Sequence, residues 1–309
     1  MAKLVLIDGH ALAYRQFYAL PLSSFTTSSG QPTNAVYGFA RTLLDLIHGD
    51  TPSEYIAVTF DQGMSGREQL FPDYKGHRDR TPDELQTQLP IIRDLVHAFN
   101  IPILEYDGFE ADDVIGTAAR LANEGGMDVL IVTGDRDLFQ LITPEGTTPI
   151  TEVELPGDDE PWDAARVKEK YGVTVGQYVE YKALIGDSSD NIPGVKGVGQ
   201  KTAERIFAHY DTLEEIYAAL EADTLDLTTR FTNALKRGKE EAYLSRELSR
   251  IKRDLPVTVD PRACVAQDYD PKDVIALFHA MEFRTLTDRL IEQSDAVQKP
   301  SGPAVQLSF

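Results

Sequence analysis

The stretch DVLIVTGDRD, residues 128 to 137, ends a run of aliphatic strand formers in two carboxylates, Asp135 and Asp137, with one residue between them. The chain does this twice more: KLVLIDGHA leaves its apolar run at Asp8, and YIAVTFDQG leaves its run at Asp61. Ligands of an open parallel sheet collect beyond the carboxyl ends of its strands, so these acids are expected in one crevice. Carboxylates gathered there repel and take up protons unless a cation sits among them. Two further clusters supply the same donors: Glu110, Asp112 and Asp113 in GFEADDVIG, and Asp187 and Asp190 in LIGDSSDNIPG. These nine acids exceed what one ion needs and suit two neighbouring ions roughly 4 Å apart. Oxygen ligation favours Mg2+ or Mn2+.

Each cluster alone has an ordinary explanation. Acids at a helix start answer the helix dipole, Asp and Ser in a turn bond their own backbone, and an Asp ending a strand has often just reached solvent. The conjunction of three strand ends, one helix start and one turn favours a shared site.

Directly after Asp190, IPGVKGVGQKTAERIF places Gly194, Gly197 and Gly199 in a hairpin that runs into a helix carrying Lys201 and Arg205. Glycines admit close approach of a phosphate, and a helix N-terminus offers it unpaired N–H groups. That is the logic of a helix-hairpin-helix on a DNA backbone, which reads phosphate and not base sequence. A helix corner capped by glycine is the plain alternative, and the basic residues weigh against it.

The elements that must position these residues follow from periodicity. Up to about residue 150, short strands (Lys3–Ile7, Tyr55–Phe60, Val129–Val132) alternate with helical patterns (Ala35–Ile47, Asp113–Asn123), which predicts an α/β fold with a largely parallel sheet and flanking helices. Between the second and third of these strands lies a long insertion, residues 62 to 100, in which TPDE at 81 to 84 predicts a capping box with Pro82 at the first helical position. From about Asp163 the patterns become helical. Residues 1–162 are therefore expected to form the core and 163–290 an all-α domain, its hairpin at about 180–210. Residues 291–309, with Pro300, Gly302 and Pro303, read as a flexible tail or linker.

Composition bounds the partners. At 309 residues, 42% hydrophobic and 26% charged, the chain suits two soluble domains and lacks the roughly 20 consecutive apolar residues of a membrane span. Asp8 and His10 stand where a signal peptide would be apolar, and the single cysteine, Cys264, leaves no internal disulfide; a cytoplasmic, non-membrane protein is expected. A net charge of −20 opposes a polyanionic partner unless cations neutralise the acids. Locally the balance reverses: Arg230 to Asp254 holds eight Lys/Arg against four Asp/Glu, or +4.

The ordered stretches LVLIDGHALAYRQFYAL, AVTFDQGMSGREQLFPDYKGHR, GFEADDVIGTAA, VTGDRDLFQL, LIGDSSDNIPGVKGVGQKTA and YLSRELSRIKRDLP resemble the 5′ nuclease family of flap endonucleases, most closely the 5′→3′ exonuclease domains that begin bacterial DNA polymerase I. The resemblance covers about residues 3 to 290. It implies a PIN-like nuclease core carrying a helical arch over residues 62–100, followed by the helix-hairpin-helix domain. The implied activity is divalent-metal-dependent hydrolysis of branched, nicked or 5′-flap DNA, in primer removal and repair. The family's metal carboxylates fall on Asp8, Asp61, Glu110, Asp112, Asp113, Asp135, Asp137, Asp187 and Asp190. Its catalytic basic residues fall on Lys75 and Arg78, and its phosphate-facing arginine on Arg15. The hairpin contacts to DNA fall on Gly194, Lys196, Gly197, Gly199, Lys201 and Thr202. Backbone carbonyls around Val195 and Val198 match those that hold K+ in relatives. A polymerase on the same or a separate chain is the implied partner.

Three other classes fit these residues less well. A small-molecule phosphatase has no use for the GVKGVG hairpin. A non-catalytic duplex-binding module leaves nine carboxylates idle. A PIN-type ribonuclease shares the strand-end acids but has a shorter chain without the insertion.

Overall fold

The computed structural model describes residues 2–298 apart from positions 64, 79, 258 and 259. In chain order the elements begin β1 (Lys3–Asp8), α1 (Gly9–Ala19), α2 (Asn34–His48), β2 (Tyr55–Thr59), α3 (Arg67–Leu70), α4 (Asp83–Gln86), α5 (Leu89–Ala98), β3 (Ile103–Leu104), α6 (Ala111–Glu124), β4 (Asp128–Val132) and β5 (Thr151–Glu154). They continue with helices only: α7 (Ala164–Tyr171), α8 (Tyr178–Ile185), α9 (Gln200–Phe207), α10 (Leu213–Glu221), α11 (Thr229–Arg237), α12 (Lys239–Ser249), α13 (Pro271–Ala280) and α14 (Arg284–Gln298).

The strands form one parallel sheet in the order β3-β2-β1-β4-β5. The central strands β1, β2 and β4 are aliphatic and almost wholly buried, as a sheet covered on both faces requires. On α6, Ala111, Val114, Ile115, Ala118, Ala119 and Ala122 are buried at helical spacing, and their small side chains keep the helix close.

Contacts divide the chain into two compact units. The first comprises Met1–Leu12, Tyr55–Thr81 and Ile103–Cys264, which includes the sheet and the helices from α6 to α12; the second comprises Ala13–Glu54, Pro82–Pro102 and the chain from Val265 onward. Within the second, α5 buries Ile92, Leu95 and Val96, and Gln88 just ahead of it donates to Asn34 at 2.9 Å and accepts from Ala35 N at 2.8 Å.

The 62–100 insertion is partly helical, as expected, through α3, α4 and α5. Two local expectations differ from what forms. Helix α4 starts at Asp83 with Pro82 as its cap residue, one position later than the TPDE box predicts, because Pro82 takes an extended ψ of 137°. Helix α14 continues through residues expected to be tail, since no breaker precedes Pro300; positions 299–309 lie outside the described residues. Among the described residues no helix is long and apolar enough to cross a membrane.

Candidate active site

Register decides where the strand-end acids meet. Asp8 pairs level with Thr59, and Ile7 with Val132, so Asp61 and Asp135 each lie two residues past the level of Asp8. Thr133 marks that level by donating its hydroxyl to Asp8 Oδ2 at 2.9 Å, while Ala11 N donates to Oδ1 at 2.9 Å. Asp61 Oδ1 accepts from Ala111 N at 2.7 Å, which ties the end of β2 to the start of α6 and hence to Glu110 and Asp112. Beyond β4, Asp135 caps a 3₁₀ turn, Arg136–Leu141, by accepting from Asp137 N at 2.8 Å.

The fourth group of acids sits on the turn after α8. Asp187 and Ile192 exchange backbone bonds of 2.9 and 2.7 Å. Gly186 (φ +74°) and Gly194 (φ +59°) pass so closely that a Cβ on Gly194 would fall 2.4 Å from Gly186 N. No other residue fits there. The acidic turn and the hairpin after it are consequently one piece of backbone. Val195 and Val198 anchor that hairpin with buried side chains, while Lys196, Gly197 and Gly199 are exposed. Open space lies in front of both exposed glycines. Gly199 caps α9, with Lys201 exposed and Thr202 half-buried in its first turn.

The foot of the insertion is stitched to the same turn. Lys75 N donates to Asp190 O at 2.9 Å, and Asn191 Nδ2 to Asp73 O at 2.8 Å. Lys75 (φ +55°) and Asn191 (φ +59°) both hold left-handed backbone, a strain that proteins retain at functional sites. The result puts Lys75 Nζ 3.0 Å from Glu110 Oε1 and 3.9 Å from Asp190 Oδ2, and Arg78 Nη2 2.6 Å from Asp190 Oδ1. Arg15 is half-buried on α1, in the second unit.

Charge is unevenly balanced across the cluster. Burial pushes Asp8 up to about 6 and, with Asp135 beside it, Asp137 up to about 7. Burial also raises Asp135, and raises Asp112 well above the usual carboxylate range. Glu110 and Asp187 go the other way: burial opposes their ionisation, but Lys75 and Arg67 outweigh it at Glu110, and Lys182 and Ser189 outweigh it at Asp187. Glu110 and Asp187 thus ionise readily, whereas Asp8, Asp112, Asp135 and Asp137 release their protons at higher pH than an ordinary carboxyl. Asp137 Oδ1 is buried without an aligned donor, although Lys182 Nζ lies 2.6 Å away.

Among the described residues no three candidate ligands close into a ready metal cage, since Lys75 and Lys182 stand between the acids. The donor chemistry nevertheless fits a hard divalent cation: the donors are carboxylate oxygens, one is a buried acceptor without an aligned donor, and at Asp8, Asp112, Asp135 and Asp137 burial and neighbouring acids outweigh whatever positive charge is near.

Asp113 is the exception among the nine. It is fully buried, takes a bidentate pair of bonds from Arg67 at 2.9 and 3.0 Å, and accepts Lys252 N at 2.8 Å. With both oxygens committed, it is a structural ion-pair partner and not one of the facing acids. Sequence reading also passes over Arg67, Tyr74, Thr133 and Lys182. The hydroxyl of Tyr74 reaches Glu110 at 3.2 Å, and the ammonium of Lys182 bonds Asp187. Lys182 leaves one sequence signal, a lone lysine on the mostly apolar helix YVEYKALI, five residues before Asp187.

A resolvase-like α/β part followed by a SAM-type helical part is a two-domain exonuclease architecture, and two family profiles describe it in those words. The 5′-3′ exonuclease N-terminal resolvase-like domain matches residues 3–172, and the 5′-3′ exonuclease C-terminal SAM fold matches residues 173–272. The chain belongs to the 5′-3′ exonuclease family. It is 42% identical over 293 residues to DNA polymerase I of Bacillus subtilis, covering 94% of this chain and 32% of that one. It is 40% identical over 290 residues to DNA polymerase I of Caldicellulosiruptor bescii, covering 93% and 33%. The chain therefore spans about a third of the length of these relatives. Among solved structures it resembles zinc-bound T5 5′-exonuclease (TM-score 0.64, 20% identity, 96% of this chain and 98% of that) and the catalytic core of Rad2 in complex with DNA substrate (TM-score 0.59, 17%, 94% and 92%). T5 D15 flap endonuclease, in a complex with DNA and metal ions, matches with TM-score 0.64 at 20% identity over 95% of this chain and 99% of that.

Proposed function

We propose that this chain hydrolyses DNA phosphodiesters near a 5′ end, on branched, nicked or 5′-flap DNA, with two divalent ions, Mg2+ or Mn2+. Its cellular work on this reading is primer removal and repair in the cytoplasm, beside a polymerase on the same or a separate chain. The observation that carries the proposal is the placement of Lys75 and Arg78 against a carboxylate cluster that is short of positive charge. The proposed domains are 1–162 for the chemistry and 163–290 for holding DNA, with α14 carrying the chain on to Gln298.

Asp8, Asp61, Glu110, Asp112, Asp135, Asp137, Asp187 and Asp190 would hold the ions. Bound divalent ions supply water activation and neutralisation of the leaving oxygen. Lys75 donates from its ammonium to a non-bridging phosphate oxygen as charge builds there, and Arg78, half-exposed, reaches the same group. Burial would lower the Lys75 pKa, but Glu110 and Asp190 hold it above the usual lysine range, so the group arrives charged. Gly197 and Gly199 admit the duplex backbone, and Lys196, Lys201 and Thr202 bond its phosphates. The carbonyls around Val195 and Val198 take K+, and Arg15 faces a further phosphate.

The test is a 5′-labelled flap incubated with the chain in Mg2+ or in EDTA. A short labelled product that requires Mg2+, and that disappears in Asp135→Asn and Asp187→Asn while flap binding persists, is expected. Cleavage by either variant near the parental rate at saturating Mg2+ overturns the assignment.

A further inference from the structure

The last turn of α12 and the residues after it, Leu248–Lys252, are bonded on two sides. Arg67 donates from Nε to Leu248 O at 3.0 Å and from Nη2 to Arg250 O at 2.9 Å, while its fork holds Asp113 and lies 3.4 Å from Glu110 Oε2. Gln140, three residues past Asp137, accepts Ile251 N at 2.9 Å and donates to Ser249 O at 2.9 Å and to Asp137 O at 3.0 Å. Gly116 on α6 lets this segment pack hard against the helix: a Cβ there would fall 2.7 Å from Ile251 Cγ2. Closer to its middle and at its start, α12 touches the hairpin. The buried hydroxyl of Ser245 accepts Gly194 N at 2.9 Å, and a Cβ on Gly238 would fall 2.9 Å from Val195 Cγ1.

A single 11-residue helix thus meets the hairpin at its cap residue Gly238 and at Ser245, and the acid cluster at its C-terminal end. An ion pair serving stability alone needs only Asp113 beside Arg67. The guanidinium also binds two carbonyls of the segment and stands against Glu110.

We propose that the Leu248–Lys252 segment couples the hairpin to the acids, with Arg67 as the positioning residue that relays its placement to Glu110. The inference rests on the hairpin being the duplex grip. Close-packed interiors pass on small displacements because no free volume absorbs them. Proof of coupling is energetic and not a matter of adjacency.

The experiment is a double-mutant cycle in the full chain. Arg67→Lys keeps a charge beside Asp113 but loses the planar fork that spans the carboxylate and both carbonyls. Ser245→Ala removes the acceptor at the hairpin side. Single-turnover cleavage of a 5′-flap at saturating DNA is measured across a Mg2+ titration, with equilibrium binding in EDTA. Each variant is expected to slow cleavage about tenfold, and the double variant also about tenfold instead of about a hundredfold, because members of one connected unit are non-additive. Flap affinity should hold, and the Mg2+ concentration giving half the maximal rate should rise in Arg67→Lys. Gln140→Met cuts the other tie of the same segment, and its cycle with Ser245→Ala is expected to be non-additive too. It decides the matter if Arg67→Lys does not fold. Additive losses, parental rates, or losses confined to binding overturn the coupling. If the parental chain cleaves no flap, the underlying nuclease reading falls and the coupling falls with it; additive losses in a cleaving parent remove the coupling alone.

Discussion

The first unit buries ion pairs among its neutral polar groups, Arg67 on Asp113, Lys75 on Glu110 and Lys182 on Asp137, whereas the polar side chains buried in the second, among the described residues, are all neutral, with the amides of Asn34 and Gln88 bonded to each other. Gln88, fully buried, caps α2 by accepting Ala35 N and Val36 N, and Asn34 Nδ2 donates to Phe17 O at 2.7 Å and Leu20 O at 3.0 Å. Neutral amides satisfy buried backbone without desolvating a full charge. Buried ion pairs rarely improve on apolar packing for stability. Their concentration in the first unit tells that these charges are placed for something besides holding the chain together.

That contrast can be broken in four ways, taken from the largest effect down. Arg67→Met leaves Asp113 as an unpaired buried charge and is expected to cost about 3–5 kcal/mol in denaturant unfolding. Recovery of parental stability in Arg67→Met would mean that the pair is not energetically special. Lys75→Ala should lower single-turnover cleavage by about 10² to 10³ with little loss of flap affinity, since on the proposed reading its contribution lies in the transition state. Equal losses of rate and binding would make Lys75 an ordinary phosphate contact. Gln88→Ala should cost about 1–3 kcal/mol through the unpaired N–H groups of α2, with cleavage chemistry intact. A loss as large as that of Arg67→Met would erase the difference between the units.

The smallest effect is in the pH response, and its sign differs between them. Asp8 and Asp137 titrate at about 6 and about 7 against an ordinary 3.8, so the folded first unit keeps protons that the unfolded chain has released. Without metal its stability falls as pH rises through that window, and Mg2+ should offset the fall. His48, which meets the Tyr269 hydroxyl at 2.6 Å, is lowered below 6.5 by burial and then by Arg289. The second unit therefore loses stability as pH drops below about 6.5. Hydrogen-exchange protection of β1 and β4 against α2, at about pH 5 and about pH 7, separates the two trends. Parallel trends in metal-free buffer would end the distinction.

Much of the site is legible in sequence, and the reason is local. Asp8, Asp61 and Asp135 stand where an aliphatic run stops, and a parallel register carries all three to one edge. The hairpin is equally visible, because Gly194 and Gly197 need positive φ and mark themselves by type. The strands β3 and β5 lie at the sheet edges, and β3 is two residues long, too short to show a period. Asp113 looks like its neighbour Asp112, yet the helix turns it onto a partner 46 residues away in sequence. Gln88 and Asn34, 54 residues apart, carry no pattern either. Pairings of that range depend on the finished fold and leave no periodic trace.

The Asp187–Ile192 backbone exchange, with Gly186 wedged against Gly194, has a metric consequence. On the proposed reading, acids that define where the strand is cut and glycines that seat the duplex share one stretch of covalent chain. The interval between seat and cut is then a fixed length of backbone, like the graduations on a ruler. The site of cleavage would be measured out from a structural landmark on the DNA, whatever its bases.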